Sequence, residues 1–165
     1  MGRVAQKAPD KVVFAPKHNL GCRMKEEIMF DGELCAIILR AEYDETGIQF
    51  FTANDFSQQL ASMSYKPGKI IPAHTHRPVR REVLDTQEAL FIRKGKLRVD
   101  FYTREQEYRC SRILQKGDVL LLIAGGHGFQ VLEELNMVEV KQGPYAGDED
   151  KVVFSTMGPP HLKFE

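Results

Sequence analysis

The chain has 165 residues, enough for one domain with its own apolar core and no need of covalent staples. Lys plus Arg (23) balance Asp plus Glu (23), so no net field selects nucleic acid or an anionic membrane surface, and no apolar run approaches spanning length. Cys22, Cys35 and Cys110 are odd in number and lack CxxC spacing, which implies reduced thiols and a cytoplasmic setting. Residues 1–10 lack the apolar centre of an export signal.

Taken in chain order, residues 1–25 carry only a weak pattern and are expected to wrap the outside of the domain or to form a dimer edge. The run 34–39 is continuously apolar, as in a strand covered on both faces. Asn54 or Asp55 is placed to cap a short helix over 56–60. Ala61, Met63 and Tyr65 alternate with Ser62 and Ser64, and Leu97, Val99 and Phe101 alternate with Arg98, Asp100 and Tyr102, the two-residue period of half-buried strands. A second continuous run spans 119–123. Turn chemistry separates these runs at Asp31-Gly32, Lys66-Pro67-Gly68, Lys94-Gly95-Lys96, Lys116-Gly117-Asp118 and Gly125-Gly126. Val138 and Val140 alternate with Glu139 and Lys141, so one polar face of a late strand can line a cavity or face solvent. The last 20 or so residues are again weakly patterned. The pentapeptide Asp-Lys-Val-Val-Phe stands at 10–14 and again at 150–154; the two copies read either as equivalent edge strands or as coincidence. This pattern predicts an all-β domain of antiparallel strands, a sandwich or barrel, with at most one or two short helices.

Within that frame one constellation bears chemistry. His74 and His76 stand two apart, so on a strand both imidazoles project from one face. Glu88 opens a later apolar run on which Leu90 and Ile92 share its inward face. His127 follows the run 119–123. Three imidazoles and a carboxylate meeting inside a barrel can hold one divalent first-row metal with positions left open. Glu82 rivals Glu88 because it lies closer to the histidines, although its setting in Arg80-Arg81-Glu82 also suits an ordinary surface ion pair. Arg77, Arg80 and Arg81 stand near the expected mouth as a clamp for a carboxylate, phosphate or nucleotide-linked sugar, or else pair with Glu82 and Asp85 on a solvated loop. His18 and His161 belong to no pattern and are expected at the surface.

In order, these residues read Gly68-x5-His74-x-His76-x11-Glu88-x6-Gly95 and then Gly117-x7-Gly125-x-His127. This resembles the two-part signature of the cupin superfamily over about residues 60–142. The chain departs from that signature in a longer stretch between His76 and Glu88, in Ile123 where proline is expected, in an early His127, and in the absence of the closing asparagine. The stretches 56–60, 125–129 and 141–145 are similar to a subgroup of short single-barrel cupins associated with surface-carbohydrate biosynthesis. The resemblance implies a double-stranded β-helix (jelly-roll) barrel, one domain over 1–165 with its core at about 34–142. It also implies a metal (Fe, Mn, Zn, Ni or Co) on His74, His76, Glu88 and His127, a small anionic or sugar-derived partner met by Arg77 and Arg81, and a homodimer. Three functions stay open at this level: a metal-dependent isomerase, dioxygenase or lyase; a non-catalytic binding cupin; and a metal-free sugar epimerase or isomerase using a barrel histidine as general base.

Overall fold

A computed structural model describes residues 24–144 and 147–155. Its strands are β1 (Lys25–Phe30), β2 (Glu33–Leu39), β3 (Gly47–Phe50), β4 (Ala61–Ser64), β5 (Glu88–Lys94), β6 (Lys96–Tyr102), β7 (Tyr108–Gln115), β8 (Val119–Leu122), β9 (Gly126–Val131) and β10 (Asn136–Lys141). All strand pairs are antiparallel, in a five-stranded sheet β1-β2-β8-β5-β10, a three-stranded sheet β7-β6-β9 and a hairpin β3-β4. Among the described residues, neither larger sheet closes on itself. The two larger sheets pack face to face through Ile38, Leu90, Ile92, Leu97, Val99, Phe101, Leu114 and Leu120.

The continuous apolar runs are explained by a second layer. Ile37, Ala89, Leu121 and Ile123 lie on the opposite face of the five-stranded sheet, under Leu34, Phe51, Phe56 and Leu60. Strands β2, β8 and β5 therefore have hydrophobic cover on both sides, and no polar alternation survives there. On β6 the alternation is real, yet its polar face is covered too. Arg98 is 5% exposed and bonds Asp100 at 2.7 Å, while Ser111 joins Asp100 and Tyr108. Arg98 and Asp100 can be buried because their charges answer each other.

Turn chemistry places the hairpins as expected. Asp31 and Gly32 both take positive φ (51° and 85°) between β1 and β2, the backbone that a two-residue hairpin of matching twist requires. Gly95, at φ 83°, turns β5 into β6 so close to the Glu134 carbonyl that a Cβ would overlap its oxygen.

Two expectations are corrected. Residues 56–60 form no helix: the Gln59 side chain donates to the Ala53 and Phe56 carbonyls (2.8 and 3.2 Å) and accepts from the Thr52 hydroxyl (3.1 Å). A glutamine that bonds the backbone this way favours a turn over a five-residue helix that cannot nucleate itself. Residues 65–87, which carry His74 and His76, contain no strand; prolines at 67, 72 and 78 remove ladder donors from that stretch. The single helical element among the described residues is a 3₁₀ turn over Gly147–Asp150, and no described helix is long and apolar enough to cross a membrane. Cys35 and Cys110 are free thiols. Cys22, His18, His161 and the pentapeptide at 10–14 lie outside the described residues.

Candidate functional site

Register brings Glu88 and His127 together from different sheets. Glu88 is the first residue of β5, opposite Leu122 on β8 and Lys141 on β10. His127 stands opposite Phe101 and so shares the core-facing side of the three-stranded sheet. The His127 Nε2 atom lies 3.4 Å from Glu88 Oε2, and the Lys141 ammonium lies 3.6 Å from Glu88 Oε1 and 3.7 Å from Glu139. The Glu88 side chain is 15% exposed, in keeping with its expected place beside Leu90 and Ile92. The pair opens onto a cleft of about 720 Å³, walled also by Tyr102, Arg104, Gly126 and Phe154.

Electrostatics keeps Glu88 ionised. Contact with His127 lowers its pKa, burial opposes this, and Lys141 lowers it further. Glu88 in turn raises the pKa of Lys141. A buried carboxylate with two such neighbours does not carry the desolvation cost that an unpartnered one would.

The other two histidines sit apart from this pair, on the exposed 65–87 stretch. Their rings meet edge to face with centroids 5.3 Å apart. Nδ1 of His74 lies 2.9 Å from the Pro72 carbonyl oxygen. Since that oxygen can only accept, Nδ1 carries the proton and, in the neutral ring, Nε2 is left as a free lone pair, the arrangement in which metal-binding histidines are commonly held. Arg80, Arg81 and Glu82 line a shallow hollow on the same stretch, and Arg77 is exposed with them. Asp85 is held by Arg104, which forks onto Asp85 (2.9 Å twice) and onto Glu33 (2.7–3.1 Å). That fork lowers the Asp85 pKa and ties the end of the 65–87 stretch to the start of β2.

The donors suit a divalent ion in kind and, for one pair, in spacing. A separation of 3.4 Å is long for a charge-assisted hydrogen bond. It matches two ligands with bonds of about 2.1 Å at a tetrahedral angle, which stand about 3.4 Å apart. Among the described residues, no three His, Cys, Asp or Glu side chains converge on one point. The structure brings Glu88 and His127 together and His74 and His76 together, as two pairs. Lys141 was legible as a residue of a polar strand face; Tyr102 and Arg104 carried no sequence signal for a place at the cleft, because only tertiary packing brings them there. Comparison of the chain with family models, curated proteins and solved structures finds no match.

Proposed function

We propose that the protein is a cupin-type metal-binding barrel that acts on a small polar molecule, anionic or sugar-derived, in the cleft at Glu88 and His127. The observation that carries this reading is the meeting of those two side chains, far apart in sequence, at a spacing suited to two ligands of one ion. The strand order supports the jelly roll. From β5 the chain passes to the three-stranded sheet for β6 and β7, returns for β8, crosses for β9 and returns for β10, the alternation of a doubly wound sandwich.

Two free edges mark where the barrel would close. β10 pairs only with β5, and β9 only with β6, among the described residues. Gln142 bonds Gln58 (3.2 Å) and the Gln87 backbone amide (2.7 Å), which holds the approach to β4 beside the end of β10. Continued antiparallel from there, β4 would reach Met137 with Met63, an exposed apolar side chain in need of cover. The stretch after it would then run toward β9, carrying His74 and His76 toward His127 and Glu88.

The residues then take defined roles. Glu88 and His127 would hold the ion from the two sheets, and His74, with its Nε2 lone pair available, would complete the set with His76. A divalent ion in that place would supply Lewis acidity, polarising a carbonyl or lowering the pKa of bound water. Lys141, beside Glu88, offers an ammonium to an anionic oxygen of the substrate, and Arg77 and Arg81 offer guanidinium forks from the 65–87 stretch. A second reading takes the Glu88–His127 contact as a dyad in which the carboxylate orients His127 as a general base without metal.

Elemental analysis of untagged protein tests both. Near-stoichiometric first-row metal that is lost in a His74→Ala, His76→Ala double variant supports the metal reading. Metal-free protein whose turnover survives that double variant but not His127→Ala would overturn it in favour of the dyad.

A further inference from the structure

The cleft at Glu88 and His127 has a floor and a mouth of opposite character. The floor is ionic: Glu88, His127 and Lys141 meet there, with side chains 15%, 31% and 30% exposed. The mouth is bordered by Leu84, Val152 and Val153, which are 88%, 76% and 84% exposed. Aliphatic side chains that stand in water to this degree, gathered at the rim of a polar cavity, mark a place where a ligand brings apolar surface of its own. Contacts at neighbouring residues position the two segments that carry them. Arg104 forks onto Asp85 at 2.9 Å, next to Leu84. The Thr86 hydroxyl donates to Asp150 at 3.4 Å, which brings the segments 84–86 and 150–153 to one side of the cleft. Phe154 packs edge-on against Tyr102, with ring centroids 5.2 Å apart, where a Cβ on Gly126 would stand only 2.9 Å from its ring. At about 720 Å³ the cleft matches pockets that take a drug-sized molecule and is far larger than a short organic acid.

We propose that the ligand of this cleft is an amphipathic acid, with an anionic head against Lys141 beside Glu88 and His127, and an aliphatic tail laid along Leu84, Val152 and Val153. This deepens the function proposed above and rests on it for the seat of the head; the seat of the tail stands on the rim alone. Charge and apolar surface are independent cues. Lys141, 3.6 Å from Glu88 Oε1, sets the sign of the head, because an ammonium beside the site favours an anionic oxygen over a cationic one. The rim sets the chemistry of the rest. A sugar would present hydroxyls to the three aliphatic side chains and leave them as wet as before. An aliphatic tail would cover them, and each methylene fully buried there tightens binding by about fourfold.

Straight-chain carboxylates from propanoate to octanoate, titrated into the full-length protein, test this by calorimetry and by amide chemical shifts at 124–128 and 151–153. Affinity should rise about two- to fourfold per methylene, with shifts in both sets of amides. Octylammonium, the same tail with the opposite charge, should bind about tenfold more weakly than octanoate, and glucuronate should bind no more tightly than propanoate. Val152→Ser combined with Val153→Ser, at exposed positions where folding is not at stake, should bring octanoate down toward propanoate. Any of five results overturns the proposal: no binding as far as octanoate, an affinity flat across the series, octylammonium equal to octanoate, glucuronate tighter than octanoate, or a serine variant with the parental slope. Metal content of the same preparation keeps the two readings apart. A flat series on metal-loaded protein removes the tail seat and leaves the metal; a steep series on metal-free protein does the reverse.

Discussion

Asp118 offers the sharpest test of how this sandwich is held. It is 1% exposed, and its carboxylate accepts from the Ala41 amide on Oδ1 and from the Gln115 amide and Arg40 Nη1 on Oδ2, all at 3.0 Å. Asp118→Ala leaves the Ala41 and Gln115 amides without their carboxylate acceptor, in part-buried bonds at residues that are themselves exposed. Arg40 is not orphaned, because it keeps Glu26 at 2.5 Å and the Ile113 carbonyl at 2.9 Å. Each such bond contributes about 1 kcal/mol, so the loss should be about 2 kcal/mol. With a urea slope of about 2 kcal/mol/M, the unfolding midpoint should fall by about 1 M. Asp118→Asn makes an internal control. Its remaining oxygen can serve Arg40 and Gln115 while only the Ala41 amide loses its partner, for a loss of about 1 kcal/mol. Equilibrium urea unfolding followed by fluorescence or circular dichroism reads both variants. An alanine variant within about 1 kcal/mol of the parent, or one no worse than the asparagine variant, would refute the reasoning.

Glu26 governs an acid limb. Burial alone would raise its pKa, but Arg112 (2.7 Å) and Arg40 together lower it below 4.5. Its contribution to stability is therefore complete above that value and lost as pH falls through the folded-state pKa. Glu26→Gln should flatten the decline in thermal midpoint below pH 4.5, and an unaltered slope would count against the assignment. Gly95→Ala should cost about 3 kcal/mol or more, from a left-handed φ together with overlap on the Glu134 carbonyl; a chain of parental stability in urea would show that the β5–β6 turn yields. Leu120, fully buried between the sheets, should lose about 2–5 kcal/mol on truncation to alanine, measured the same way. Arg104→Ala should change stability by less than about 1 kcal/mol despite its five hydrogen bonds to carboxylate oxygens, because the fork is half exposed.

The parts of the fold that followed from local rules were legible in the sequence. Period-two alternation, continuous apolar runs and Gly-bearing turns located β2, β4, β5, β6, β8 and β10 but left β1, β3, β7 and β9 unmarked, and the inward aim of Glu88 followed from Leu90 and Ile92 on its own strand. What could not be read was set by tertiary context. Polar residues on β6 looked solvent-facing because nothing in their own sequence announces that Asp100 and Ser111 will answer Arg98. The expected helix at 56–60 gave way to glutamine bonds with the backbone. The spacing of His74 and His76 has meaning for a strand, but that stretch carries three prolines and finds no ladder partner among the described residues. Arg104 joins residues 33 and 85, and no pattern within either segment signals such a bridge.

Glu88 and His127 are mounted on walls of unequal stiffness. β5 lies in the interior of its sheet, with β8 on one side, β10 on the other and apolar layers above and below it. Among the described residues β9 has one neighbouring strand, and Phe129 and Val131 on it remain 41% and 58% exposed. The carboxylate is thus a fixed post, while the imidazole rides on a compliant margin. Any adjustment of the gap between them, to a larger or smaller guest, falls to the β9 side.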